Sequence, residues 1–123
     1  MTSFAELTEA VADFATERDW DRFHSPKNLA MALSVEAAEL LEHFQWLTEP
    51  ESESLDSGKL EAVAEEIADV QIYLIRLADR LGIDVVEASA CKLEKNRLKY
   101  PADRVRGSAR KYTDYTREPV DEG

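Results

Sequence analysis

SPKNLAMALSVEAAELLEHFQWL (residues 25–47) and KLEAVAEEIADVQIYLIRLADRL (residues 59–81) are the two stretches that decide the fold of this chain. In the first, Leu29, Leu33, Leu40, Phe44 and Leu47 recur at steps of three, four and seven; in the second, Val63, Ile67, Val70, Leu74, Leu77 and Leu81 do the same. That spacing gathers residues on one face of an α-helix and predicts two amphipathic helices, each with a single apolar stripe. Ser25 followed by Pro26 is an N-cap with a first-turn proline, and the pattern carries this helix to about Leu47. The second helix spans about Lys59 to Leu81, where Gly82 provides a stop.

Working outward, Ser3 with Glu6 forms a capping box ahead of Phe4, Leu7, Val11 and Phe14, so a helix opens there and runs to about Asp19. Trp20 to Ser25 reads as a loop. Thr48 to Gly58, with Pro50, three serines and several acids, reads as a mobile interhelical loop. A second capping box, Asp84 with Glu87, starts a fourth helix that must finish by Tyr100, because Pro101 disfavours helical geometry in the residue before it. No stretch alternates as a strand would. The expected architecture is all-α and four-helix-bundle-like, a single helical domain over residues 1–101 followed by a poorly ordered tail at 102–123. A chain of 123 residues buries only about two-thirds of its unfolded surface, so an oligomer is expected.

Composition excludes several classes of function. No apolar run approaches the roughly 18 to 20 residues of a membrane-spanning helix, and Met1 to Leu7 lacks the basic start and apolar stretch of a signal peptide. A cytoplasmic protein without a membrane partner is expected. Cys91 is the only cysteine, which rules out an internal disulfide or a cysteine-built zinc site and suggests a small buried hydrophobe. Residues 1–91 hold 6 basic and 20 acidic side chains, whereas residues 92–111 hold 8 and 2. Such an acidic body disfavours nonspecific duplex binding and leaves one basic segment suited to a small phosphorylated ligand.

The acids in the two long helices follow a common plan. With Glu36 at zero and 100° per residue, Leu40, Leu33 and Phe44 fall at about 40°, 60° and 80° and Glu39 at about −60°. With Glu66 at zero, Val70, Val63 and Leu74 fall at about 40°, 60° and 80°, Tyr73 at about −20° and Asp69 at about −60°. Each helix therefore carries one carboxylate at the margin of its core face and a second a turn later. Antiparallel packing sets the pairs level, since Glu39 and Glu66 lie roughly 12 and 11 Å from the turn. Four converging carboxylates repel one another unless a divalent cation joins them, and oxygen-only ligation selects a hard ion, Mg²⁺ before others. A di-iron bundle wants Glu-x-x-His, and neither His24 nor His43 has a Glu three residues earlier. The bland alternative is a pair of solvated acidic helix faces.

Other candidates surround these acids. His43 shares the face of Glu39. Lys92, Lys95, Asn96 and Lys99, at steps of three and four, make one cationic helix face suited to phosphates. Trp20, Phe23, Trp46 and Tyr73 can stack on a base, although each serves equally well as a core aromatic.

Three segments, RDWDRFHSPKNLAMALSVEAAELLEHFQWL (18–47), EEIADVQIYLIRLAD (65–79) and KLEKNRLKYP (92–101), resemble in order and spacing the MazG-like all-α nucleotide pyrophosphatases, within them the small dCTP pyrophosphatase branch. The ExxE and ExxD motifs of that family match Glu36, Glu39, Glu66 and Asp69, with 26 residues between Glu39 and Glu66. The resemblance implies Mg²⁺-dependent cleavage of a nucleoside triphosphate, dCTP or a related pyrimidine nucleotide, to the monophosphate and pyrophosphate in cleaning of the nucleotide pool. It also implies a homo-oligomer, a dimer or a tetramer, and Mn²⁺ is expected to substitute for Mg²⁺. By position it assigns Trp20, His24, Trp46 and Tyr73 to the base and sugar pocket and Lys92, Lys95, Asn96 and Tyr100 to the side that holds the nucleotide. One departure is Val35, which stands where the longer motif EExxE has its first Glu; Glu39 is then the expected general base. Two other readings compete, a noncatalytic helical protein-binding module and a nucleic-acid binder using Arg104, Arg106, Arg110 and Lys111.

Overall fold

A computed structural model of the chain describes residues 2–107. Every regular element among them is helical, and they fall into two compact units, Met1–Asp84 and Val85–Gly123. The first unit holds α1 (Phe4–Glu17), a 3₁₀ turn (Asp21–Phe23), α2 (Pro26–Glu42), α3 (Glu49–Ser52) and α4 (Ser57–Arg80); the second holds α5 (Val85–Lys99) and α6 (Ala102–Val105). The expected domain boundary at 101/102 lies inside the second unit, and residues 108–123 of the expected tail, Arg110 and Lys111 among them, lie outside the described residues. No helix among the described residues is long and apolar enough to cross a membrane.

Helix starts follow the capping chemistry. Ser3 Oγ accepts from the Glu6 amide at 3.1 Å, and Ser25 Oγ accepts from the Asn28 amide at 3.2 Å with Pro26 in the first turn. Helix ends differ from the periodicity. α1 stops at Glu17, short of Asp19, because Asp19 takes a φ of 55° and turns the Trp20 amide back onto the Ala15 carbonyl at 2.9 Å; aspartate enters this left-handed region more readily than most residues. The loop that follows is wound into the 3₁₀ turn. α2 stops at Glu42, not Leu47, because Thr48 must be extended to cap a further helix and residues 43–47 tighten into turns. That further helix, α3, lies where a mobile loop was expected. Thr48 Oγ1 accepts from the Glu51 amide and Glu51 Oε1 accepts from the Thr48 amide, a complete capping box whose acids and proline had read as loop polarity. Asp56 caps α4 through the Lys59 amide at 2.8 Å, and Gly82, at a φ of 68°, ends it.

α2 packs along α4, and α1 packs on α4. Asp21 and His24, in the turn just ahead of α2, meet Arg76 late in α4, while Glu36 and Glu39 meet Glu66 early in it, so the two helices are antiparallel. The buried apolar residues are few: Ala15, Leu29, Val63, Ile75 and Ala78. Ile67, Leu74 and Leu81, expected in the α4 core stripe, are exposed and with Leu60 form a line at seven-residue intervals. The second half of α4 turns Ile75 and Ala78 inward instead, in the stretch where Arg76 meets Asp21 and His24. Phe14, expected in the α1 stripe, is also exposed; it meets Trp20 edge-on at 5.7 Å and carries the Arg18 guanidinium over its ring. Cys91, expected to be buried, is exposed on α5, a helix with no buried residue.

Leu29, only 1% exposed, anchors α2 to this small core. Leu29→Ala is expected to lower unfolding free energy by about 2–4 kcal/mol, measured by urea denaturation.

Candidate metal centre

Glu36 and Glu39 stand one turn apart on α2, and Glu66 faces them from α4. One carboxylate oxygen from each lies within 4.8 Å of those of the other two. Glu36 and Glu66 are half-buried, and Oε2 of each is sealed from solvent with no hydrogen-bond partner. Burial, then hydrogen bonding to Glu66 and Glu39, then the charges of both neighbours push the Glu36 carboxyl up to about 7 from an ordinary 4.5. A sealed oxygen with no donor costs about 1–3 kcal/mol. A cation between the helices would remove both penalties, and three hard oxygen donors fit Mg²⁺ or Mn²⁺ better than a soft ion. Asp69, one turn after Glu66, is exposed and outside this three-carboxylate group.

The remaining sequence candidates are spread over both units. Trp20 is exposed and meets His24 edge-on at 6.2 Å, which makes a continuous aromatic cluster with Phe14. Tyr73 is half-buried on α4, one turn beyond Asp69. Trp46, beyond the end of α2, is 86% exposed. His43 is the C-cap residue of α2. In the second unit Lys92 and Lys95 are exposed on α5, Asn96 is half-buried, and the amide of Tyr100 donates to the Asn96 carbonyl at 2.8 Å.

Sequence reasoning passed over Arg76, which is 5% exposed and bonds both Asp21 and His24. The signal available was a lone cation inside the apolar run Ile72–Ala78.

A family model described as MazG-like matches residues 31–115, which include every member of the carboxylate group. The chain belongs to the MazG-like family. This MazG-like chain is 46% identical over 113 residues to dCTP pyrophosphatase 1 of Mus musculus, covering 90% of this chain and 66% of the relative. It is 47% identical over 105 residues to the Bos taurus protein of the same name, covering 84% of this chain and 62% of the relative. It thus spans just under two thirds of the length of these curated relatives. Among solved structures, a pyrophosphatase from Archaeoglobus fulgidus aligns at 46% identity with a TM-score of 0.69, covering 79% of this chain and 91% of that one. The MazG-like chain and that protein share one all-helical fold.

The raised pKa of Glu36 sets a pH dependence with a definite sign. Folding strengthens the hold of Glu36 on its proton, so its contribution to stability is complete below about pH 4.5 and is lost as pH rises through about 7. His24 is shifted the other way by burial and Arg76, so the comparison must be against a variant. In EDTA, Tm of the parent is expected to fall across this window relative to Glu36→Gln. Added Mg²⁺ should raise Tm of the parent, and more so at the higher pH, because the deprotonated carboxylates are the ligands.

Proposed function

We propose that this chain is a nucleoside triphosphate pyrophosphohydrolase that uses Mg²⁺, with Mn²⁺ able to substitute, and converts dCTP or a related pyrimidine deoxynucleotide to the monophosphate and pyrophosphate. The observation that carries the reading is the pair of sealed, partnerless oxygens on Glu36 and Glu66 beside Glu39, an arrangement that a protein-binding module has no use for. The names of the relatives supply the nucleotide class.

In this reading Glu36, Glu39 and Glu66 hold the cation, and Asp69 joins them from the next turn of α4. Bound there, Mg²⁺ supplies charge neutralisation of the triphosphate oxygens and orients the attacking water. Water attacks phosphorus, the bond to the bridging oxygen breaks, pyrophosphate leaves, and the proton of the water goes to a carboxylate. Glu39 is assigned as that base, being the member of the group with no oxygen sealed away from solvent and unpartnered. Trp20, Trp46 and Tyr73 serve as stacking surfaces for the base and sugar, with His24 as their polar partner, and Lys92, Lys95, Asn96 and Tyr100 are the candidate nucleotide contacts. The line of exposed apolar residues Leu60, Ile67, Leu74 and Leu81 supports a homo-oligomer, a dimer or tetramer, acting in the cytoplasm on the nucleotide pool.

Product chromatography tests the chemistry. With Mg²⁺, dCTP should yield dCMP and pyrophosphate, with no turnover in EDTA and a loss of about 100-fold or more in Glu66→Gln and Asp69→Asn. Release of orthophosphate with dCDP would overturn the assigned reaction, and equal turnover of purine and pyrimidine triphosphates would remove the base preference alone. Light scattering tests assembly: a multiple of the chain mass is expected at micromolar concentration, and a monodisperse single-chain species argues against the oligomer.

A further inference from the structure

Arg76 is the charged residue buried among the described residues, at 5% exposure, and a buried guanidinium must spend its donors on fixed partners. Nη2 donates to Asp21 Oδ1, and Nη1 lies 3.6 Å from Asp79 Oδ2. The third partner is unusual: Nε donates to Nδ1 of His24 at 3.2 Å. Arginine cannot give up its proton in a protein, so the nitrogen that accepts from it must present a lone pair. His24 is therefore neutral, with its own proton on Nε2.

The surroundings keep it so. Asp21, which could draw the proton to Nδ1, has one oxygen on Arg76 and the other accepting from Thr16 Oγ1 at 2.9 Å. Burial, the charge of Arg76 and that of Arg80 all oppose a second proton on the ring, and only Asp21 favours one. Among the described residues none accepts from Nε2. The ring stands edge-on to the exposed Trp20, so an N–H donor with no acceptor among the described residues accompanies an aromatic surface.

We propose that Arg76 is a positioning residue that holds His24 as a neutral Nε2–H donor, so that this aromatic end of the unit binds a hydrogen-bond acceptor on the base or sugar of the nucleotide, such as a ring carbonyl oxygen. The ligand class rests on the function proposed above; the hold of Arg76 on His24 does not. The arrangement has a chemical use. A cationic histidine attracts any phosphate that reaches it, whereas a neutral donor discriminates by the position of one acceptor atom and leaves a polar group unpaired when that atom is missing.

The tautomer is readable without nucleotide or metal. In long-range ¹H–¹⁵N correlation spectra of the parent near neutral pH, with only His24 and His43 to assign, His24 is expected to show Nδ1 unprotonated and Nε2 protonated. A predominant Nδ1–H form, or a doubly protonated ring, overturns the proposal whatever the protein catalyses. In Arg76→Met, where Asp21 is left free to accept from the ring, the spectrum should move toward Nδ1–H and the His24 pKa should rise; an unchanged spectrum also overturns it. Arg76→Gln, which also removes the cation from Asp21 while keeping a polar side chain, provides the same reading if the Met variant does not fold. In steady-state kinetics Arg76→Met should raise KM by about three- to tenfold, the loss of one hydrogen bond, with kcat within about twofold. In a His24→Ala background the same change should add less than about twofold. Multiplicative effects in the double variant would show that Arg76 merely supports the fold. Failure of the parent to hydrolyse any triphosphate, with the tautomer as stated, removes the proposed reaction and supports the hold of Arg76 on His24.

Discussion

Packing α2 against α4 buries Leu29, Val63 and Ile75 and in the same register brings Glu36, Glu39 and Glu66 together; one outcome cannot be had without the other. The opposing magnitudes are comparable. Two full carboxylate charges 4.8 Å apart repel by roughly 3.5 kcal/mol at an effective dielectric of about 20, while burying one leucine contributes about 1.5–3 kcal/mol. With so small a core, the metal-free unit meets this cost by leaving a proton on Glu36: burial first, then hydrogen bonding to Glu66 and Glu39, and last their charges push that carboxyl up to about 7. A cation in the same place turns the repulsion into ligation, and the helix contact and the proposed chemistry then draw on one set of residues.

The two ends of the helix pair carry different polar devices. His24 stands just ahead of α2, whose first residue lies about 15 Å along the helix from Glu36, and there the charge is arranged in the opposite sense, with one cation enclosed by Asp21 and Asp79 and a neutral imidazole. An anion-rich site in mid-helix and a neutral donor among aromatics at the end would divide a nucleotide into its two recognisable halves, phosphates and base. Helix lengths set that separation, since both devices hang on the same two rods.

Much of this was legible in the sequence where the physics is local. Ser3, Ser25 and Gly82 mark helix ends because a cap is satisfied within a few residues. Glu36, Glu39 and Glu66 were legible because angular position on a helix follows from spacing alone. Asp69 shared that angular position yet stays out of the group: its side chain is one methylene shorter than Glu39, and angle says nothing of reach. α3 escaped notice because a capping box made of Thr48, Pro50 and Glu51 has the composition of a loop. Ile67 and Leu74 against Ile75 and Arg76 could not be sorted, since periodicity marks an apolar face without saying which part of it another helix covers. Arg76 was invisible for a related reason, its partners Asp21 and His24 lying 55 and 52 residues away.

That last separation also governs the order in which the protein can take shape as it is made. The turn from Trp20 to Ser25 leaves the ribosome ahead of α4, and its polar groups do not have the Arg76 cation to close on until it follows, 52 residues after His24. At roughly 5–20 residues per second this is a wait of about 3–10 s. Through that interval α1 and α2 have no α4 to bury against, so the nascent first half exposes its apolar stripes until the second long helix is complete.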